Sequence, residues 1–147
     1  MAIANLHETL LAYTLRKNAL NLEISELQSQ KTLAVRSQSD AQSLLSARKH
    51  EVRDYFKNYY KTECENDPEF KERYLDYTKI PEFEEEIDKI VAEYQEKLDE
   101  LTAWETNIDS QITTDSAEIE EITAYQESIK SMLQNNISED FNYGLNS

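Results

Sequence analysis

Between Ile3 and Tyr59 an inward-type residue recurs at alternating spacings of three and four. The positions are 3, 6, 10, 13, 17, 20, 24, 27, 31, 34, 38, 41, 45, 48, 52, 55 and 59, and 13 of these 17 are apolar or aromatic. Lys17, Lys31, Gln38 and Arg48 are the exceptions. Such a repeat, sustained over eight heptads, is the mark of a coiled-coil seam. It commits this half of the chain to a long helix whose output is an adhesive surface.

Almost nothing in the chain can break that helix. Glycine occurs once, at Gly144, and proline twice, at Pro68 and Pro81, against roughly 7% and 5% in ordinary globular chains. Sheets need turns every few residues, and turns with positive φ need glycine or asparagine, so a β-rich fold is excluded. A Gly-rich phosphate cradle, a dinucleotide fingerprint and a nucleophile elbow are excluded for the same reason.

The 147 residues therefore read as one elongated all-α domain, a long antiparallel helical hairpin or coiled coil with a short helical tip. Assembly into a higher helical bundle is an open extension. The first helix is expected over about 5–62, where it spans about 90 Å at 1.5 Å per residue. Continuity fails over 63–79. Asp67-Pro68 matches an N-cap followed by proline at the first helical position, opening a short helix through Tyr77. Pro81 opens the second long helix, expected over about 81–135, with Glu82, Glu84, Glu85 and Glu86 where anions favour the helix dipole.

That second helix carries Ile80, Phe83, Ile87, Ile90, Tyr94, Leu101, Trp104, Ile108, Ile122, Tyr125, Ile129 and Met132 as one row. Val91, Leu98, Ile112, Ile119 and Leu133 form a parallel row. Together they suggest a stripe wider than two strands need. Thr113-Thr114-Asp115-Ser116 is a soft point, because Asp115 and Glu118 match a capping box; we expect the helix to run through it, with a restart as the alternative. The polar segment 136–147 is expected to fray.

A hairpin turning near residue 71 sets residue i beside residue ~143 − i. Lys31 then comes within reach of Asp109 or Asp115, Lys17 approaches Glu127, and Arg48 approaches Glu96. Trp104 faces the small side chains around Ser39 and Ala41.

Net charge is −15. Residues 1–62 hold nine Lys/Arg against six Asp/Glu, and residues 63–147 hold six against 24. This balance argues against nucleic acid or an anionic membrane as partner. It fits solubility with internal pairing between the halves, or an acidic face for a basic partner, including a nucleic-acid mimic. The first residues lack a basic start, an apolar core and a cleavage site, and no window resembles a membrane span. Cys64 is alone, so no intramolecular disulfide forms. These features point to a cytoplasmic protein, or one exported by a signal-peptide-independent route.

Catalytic and metal chemistry find little purchase. His50 shares a helix face with Asp54 only, and His7 lies some 60 Å away along an unbroken helix. A di-iron reading of Glu93, Glu96, Glu100 and Glu84–Glu86 needs Glu-x-x-His motifs, but Ala4 and Ala47 occupy the required positions. Glu63 and Glu65 beside Cys64 oppose a reactive thiolate. We expect no enzyme, no cofactor and no metal.

The candidate interaction residues are Leu10, Leu20, Ile24, Leu27, Ile108, Ile112 and Ile119 along the stripe, and Tyr55, Tyr59, Tyr74 and Trp104. The ring cluster around the tip (Tyr55, Phe56, Tyr59, Tyr60, Phe70, Tyr74, Tyr77 and Phe83) reads both as a mini-core locking the connector and as a partner-binding head. The weak seam between Ser25 and Ser46, rich in Ser, Gln and Ala, reads as close helix packing or as a mobile, partner-exchanging stretch. In composition the chain is similar to several unrelated groups: export-apparatus stalks, secreted helical filament subunits and small adaptors. Trp104 is not followed by the Trp-x-Gly turn of small secreted helical hairpins. The expected role is a non-enzymatic structural or interaction protein that self-associates, as a homo-oligomer, or docks on partner helices. The alternative is an acidic binding chaperone, adaptor or inhibitor.

Overall fold

The computed structural model describes residues 2–146 and is all-helical, with no strand among them. Helix α1 spans Ile3–Asn66, α2 spans Pro68–Arg73, a 3-10 turn covers Tyr77–Lys79, and α3 spans Pro81–Asn146. α1 packs antiparallel against α3, which is the expected hairpin. Two compact units are distinguished: residues up to Lys31 with those from Asn107 onward, and Thr32–Thr106.

In the first unit the interhelical ladder is polar as well as apolar. Leu6, Leu20, Leu27, Ile108, Ile122 and Ile129 are buried. Lys31 Nζ meets Asp109 Oδ1 at 2.7 Å, Gln126 Nε2 donates to Thr14 Oγ1 at 3.0 Å, and Arg16 makes a two-pronged pair with Glu118 at 3.0 and 3.1 Å. The Lys31–Asp109 contact matches the expected register. The Lys17–Glu127 contact does not form: Lys17 is half-buried in the seam and makes no ion pair among the described residues, and the neighbouring Arg16 reaches across instead.

In the second unit, Gln38 Nε2 donates to Glu105 Oε2 at 2.8 Å. Below it Val52, Phe56, Phe70, Ile80 and Ile90 form a core, flanked by Leu45, Tyr60, Tyr74, Tyr77, Phe83, Ile87 and Tyr94. Arg48 does not approach Glu96; it turns back along its own helix to Glu51 at 3.0 Å.

The α1 seam holds at every expected position from Ile3 to Leu45, all of them buried or half-buried. Beyond Leu45 the inward residues become Lys49, Val52, Phe56, Tyr60 and Cys64, whereas Arg48, Tyr55 and Tyr59 face outward. Each four-residue step turns the inward direction by about 40° on a 3.6-residue helix. The turn has a cause: here α1 meets Phe70, Tyr74 and Tyr77 of the connector as well as α3.

α3 keeps a strict alternation from Leu98 to Asn136 through 101, 105, 108, 112, 115, 119, 122, 126, 129 and 133. The two rows expected to make a broad stripe are thus the two halves of one seam. Trp104, Tyr125 and Met132 fall outside it and are exposed. Glu105 and Gln126 hold inward places, each satisfied by a partner on α1.

No break occurs at 113–116. The Thr113 and Thr114 hydroxyls donate back to the carbonyls of Asp109 and Ser110, at 2.9 and 3.0 Å, and Asp115 turns into the seam instead of capping. Such back-bonding satisfies a threonine inside a helix. The helix bounds differ from expectation more: α1 starts at Ile3 and ends at Asn66, and α3 extends to Asn146. Asn136, Glu139 and Asp140 line a groove with Ala2 and Ile3, so α1 gives this last stretch a neighbour. Position 147 lies outside the described residues.

The connector is capped as its sequence dictates. Asp67 accepts from the Glu69 N–H at 3.1 Å, with Pro68 in the first helical turn. The short helix ends at Arg73 instead of Tyr77, because Tyr74 becomes extended. Asp76 then caps a second small turn, accepting from the Thr78 N–H at 2.8 Å and from the Thr78 hydroxyl.

Candidate interaction surfaces

The candidate residues divide between the two units. Leu10, Leu20, Ile24, Leu27, Ile108, Ile112 and Ile119 belong to the first, all buried or half-buried in the α1–α3 seam. Leu20, Leu27 and Ile108 are buried there, while Leu10, Ile24, Ile112 and Ile119 keep part of their surface exposed. Besides Tyr125, Met132, Ile137 and Phe141 on α3, the first unit exposes a set outside the expected seam: Leu11, Leu15 and Leu22 on α1. Their i, i+4 and i+11 spacing gathers them on one face, away from the seam. The signal was in the sequence, as leucines at heptad positions where polar residues are usual.

On α3, Tyr125 stacks on Tyr13 at 5.7 Å between ring centroids and 21° between planes. Its hydroxyl donates to Glu121 Oε1 at 3.0 Å, and this bond to a carboxylate raises the phenol's pKa above its usual value. Among the described residues Lys17, Arg36, Lys49, Arg53 and Lys61 make no ion pair, and nor do Glu82 and Glu84–Glu86.

The second unit brings Tyr55, Tyr59 and Tyr74 together but holds them differently. Tyr74 is half-buried, with its ring edge-on to Phe70 at 5.1 Å. Tyr60, one of the rings expected to form a mini-core at the tip, locks the connector: its hydroxyl lies 2.9 Å from the Tyr74 carbonyl and 3.0 Å from that of Leu75, donating between them. Burial raises the Tyr60 pKa, followed by its bond to Cys64.

Tyr55 and Tyr59 stack on each other at 6.4 Å and remain 64% and 40% exposed. Two adjoining grooves, of about 370 and 250 Å³, share Tyr55 and Phe56, and Tyr59 lines the smaller one. Val52, Phe56 and Ile80 form their floor, and Glu51, Glu82 and Glu86 stand on their rim. The negative field of Glu63 is the main cause of a raised Tyr59 pKa, with desolvation and then Glu82 contributing. Trp104, the fourth aromatic candidate, is 37% exposed and sits apart from these rings.

His50 Nε2 lies 3.3 Å from Asp54 Oδ2 on the exposed side of α1. Among the described residues no three His, Cys, Asp or Glu side chains converge as a metal site, and no helix is long and apolar enough to cross a membrane. No family model matches the chain, and the comparisons with curated proteins and with solved structures give no match either.

Proposed function

We propose that this chain is a non-enzymatic interaction protein whose helices self-associate or dock on partner helices. One observation carries the reading. The seam is already occupied by the chain's own two helices, yet Leu11, Leu15 and Leu22 remain exposed on the face of α1 away from it. These three leucines share one helical face, and burying what remains exposed of each would gain about 1–2 kcal/mol. The mechanism is helix-against-helix packing, with the seam residues Leu20, Leu27 and Ile108 supplying the rigid scaffold.

Molar mass by light scattering over a wide concentration range tests it. Growth in mass, or a fixed oligomer, that disappears in Leu15→Glu/Leu22→Glu supports self-association. A constant monomer mass leaves docking on another protein's helices as the role. The acidic-module alternative draws support from a separate observation, the unpaired glutamates at 82, 84, 85 and 86.

A further inference from the structure

We propose that the groove at Tyr55 and Tyr59 is a docking site for a cationic amphipathic helix of another protein. Its apolar residues would seat against Tyr55 and Phe56, and its lysines or arginines would face Glu82 and Glu86. This deepens the partner-docking arm of the proposed function, on a surface separate from the exposed leucines.

Shape is the first argument. From Arg48 to Tyr59 the lining of the two grooves covers three turns of α1, about 17 Å at 1.5 Å per residue. That length suits a partner helix contributing anchors at i, i+3 or i+4, and i+7. The floor of Val52, Phe56 and Ile80 is fixed by the core beneath it, so the groove is formed before any partner arrives. Tyr55 stands above that floor largely in water. A rigid, amphipathic ring held open beside a preformed groove can bury much apolar area at little entropic cost.

Charge decides what kind of helix fits. Arg48, the cation on the rim, is engaged by Glu51. Glu82 and Glu86 lie one turn apart on α3, where like charges at i, i+4 repel. Among the described residues neither makes an ion pair. An incoming cation relieves that repulsion, whereas nucleic acid or an anionic lipid surface would be repelled.

A second copy of this chain fits poorly. Its cationic row is Lys49, Arg53, Lys57 and Lys61, but the apolar side chains beside that row, Val52, Phe56 and Tyr60, are committed to its own core. It has cations to offer there and no free anchor.

The test uses the full chain and a labelled synthetic helix of about five turns, with leucine along one face and lysine along the flanks. Fluorescence anisotropy reads its binding, and a counterpart with glutamate replacing lysine is the control. The lysine helix should bind one per chain, and the glutamate helix at least about tenfold more weakly. Tyr55→Ala should weaken binding by about tenfold, and so should Glu82→Gln/Glu86→Gln. Tyr55 is exposed and glutamine keeps the helix, so circular dichroism should be unchanged in both.

Reversing Asp99 and Glu100 to lysine, about 20 Å further along α3 from Glu86, should change the affinity less than about twofold. Equal weakening by that distant reversal would overturn the proposal, since it would reduce the binding to general acidity. Unaltered binding in Tyr55→Ala would overturn it too. Light scattering on the same samples separates the readings. A mass that grows with concentration and falls in Tyr55→Ala would make the groove a contact between copies. A chain that stays monomeric and binds through the groove would end self-association while leaving the docking site intact.

Discussion

Two aspartates show how far a single side chain's role depends on its surroundings. Asp76 caps the turn at Tyr77–Lys79, and its bonds from the Thr78 hydroxyl and N–H hold its pKa below the usual carboxylate value. A pKa lowered on folding means that the cap's contribution is fully present above the unfolded carboxylate pKa. It is lost as pH falls through the lower, folded value. Near-ultraviolet circular dichroism of the connector tyrosines should therefore change in acid in the native chain. In Asp76→Asn that step should vanish.

Asp115 is the opposite case. It is 8% exposed in the seam, and its Oδ2 has no hydrogen-bond partner among the described residues. Leaving a buried acceptor unsatisfied costs roughly 1–3 kcal/mol. Asp115→Leu should raise the melting temperature, and its price should be a less strictly specified helix register or partner number. A lower melting temperature would show that the aspartate contributes stability through contacts of its own.

The element scale is where sequence and structure part company most usefully. The α1 seam was legible from Ile3 to Leu45 because its period stays near 3.5 and its polar exceptions fall at inward places. Lys31 and Gln38 then show why polarity was no obstacle, since each meets an acid on α3. Past Leu45 the same arithmetic selects Tyr55 and Tyr59, while the packing selects Phe56 and Tyr60. The difference comes from the connector, a tertiary neighbour that no spacing rule along α1 contains.

On α3 the error came from preferring large apolar residues. Trp104 and Tyr125 look like better seam residues than Glu105 and Gln126, yet a strict heptad from Leu98 passes through the polar pair. The structure turns this into a measurable contrast. Ile108 is 2% exposed, and Ile108→Ala should cost about 2–5 kcal/mol by removing buried volume. Trp104→Ala, at an exposed place, should cost less than about 1 kcal/mol despite losing the larger side chain. Urea unfolding of the two variants decides it, and a larger loss at Trp104 would return the indole to the seam. Of the candidate surfaces, the tyrosines were legible as a cluster. The groove they border was not, because Glu82 and Ile80 reach it only once α3 folds back beside α1.

For the whole molecule, association has to contend with charge. Two copies each carrying −15 repel at the distances where helices begin to meet. Leu11, Leu15 and Leu22 favour contact and lie on α1, the helix of the less acidic half. Salt separates the two forces, because screening weakens the repulsion between copies and leaves apolar burial in place. If the leucine face joins copies, raising sodium chloride at fixed protein concentration should increase the weight-average mass. Leu15→Glu/Leu22→Glu should stay monomeric at every salt concentration. The cationic helix at the Tyr55 groove should respond in the opposite sense, binding more weakly as salt rises, because screening there removes attraction. Light scattering and anisotropy on one salt series therefore read the two surfaces with opposite signs. Mass that falls with salt would mean that charge pairing joins the copies, with the unpaired Lys49, Arg53 and Lys61 set against another copy's glutamates in place of the leucines.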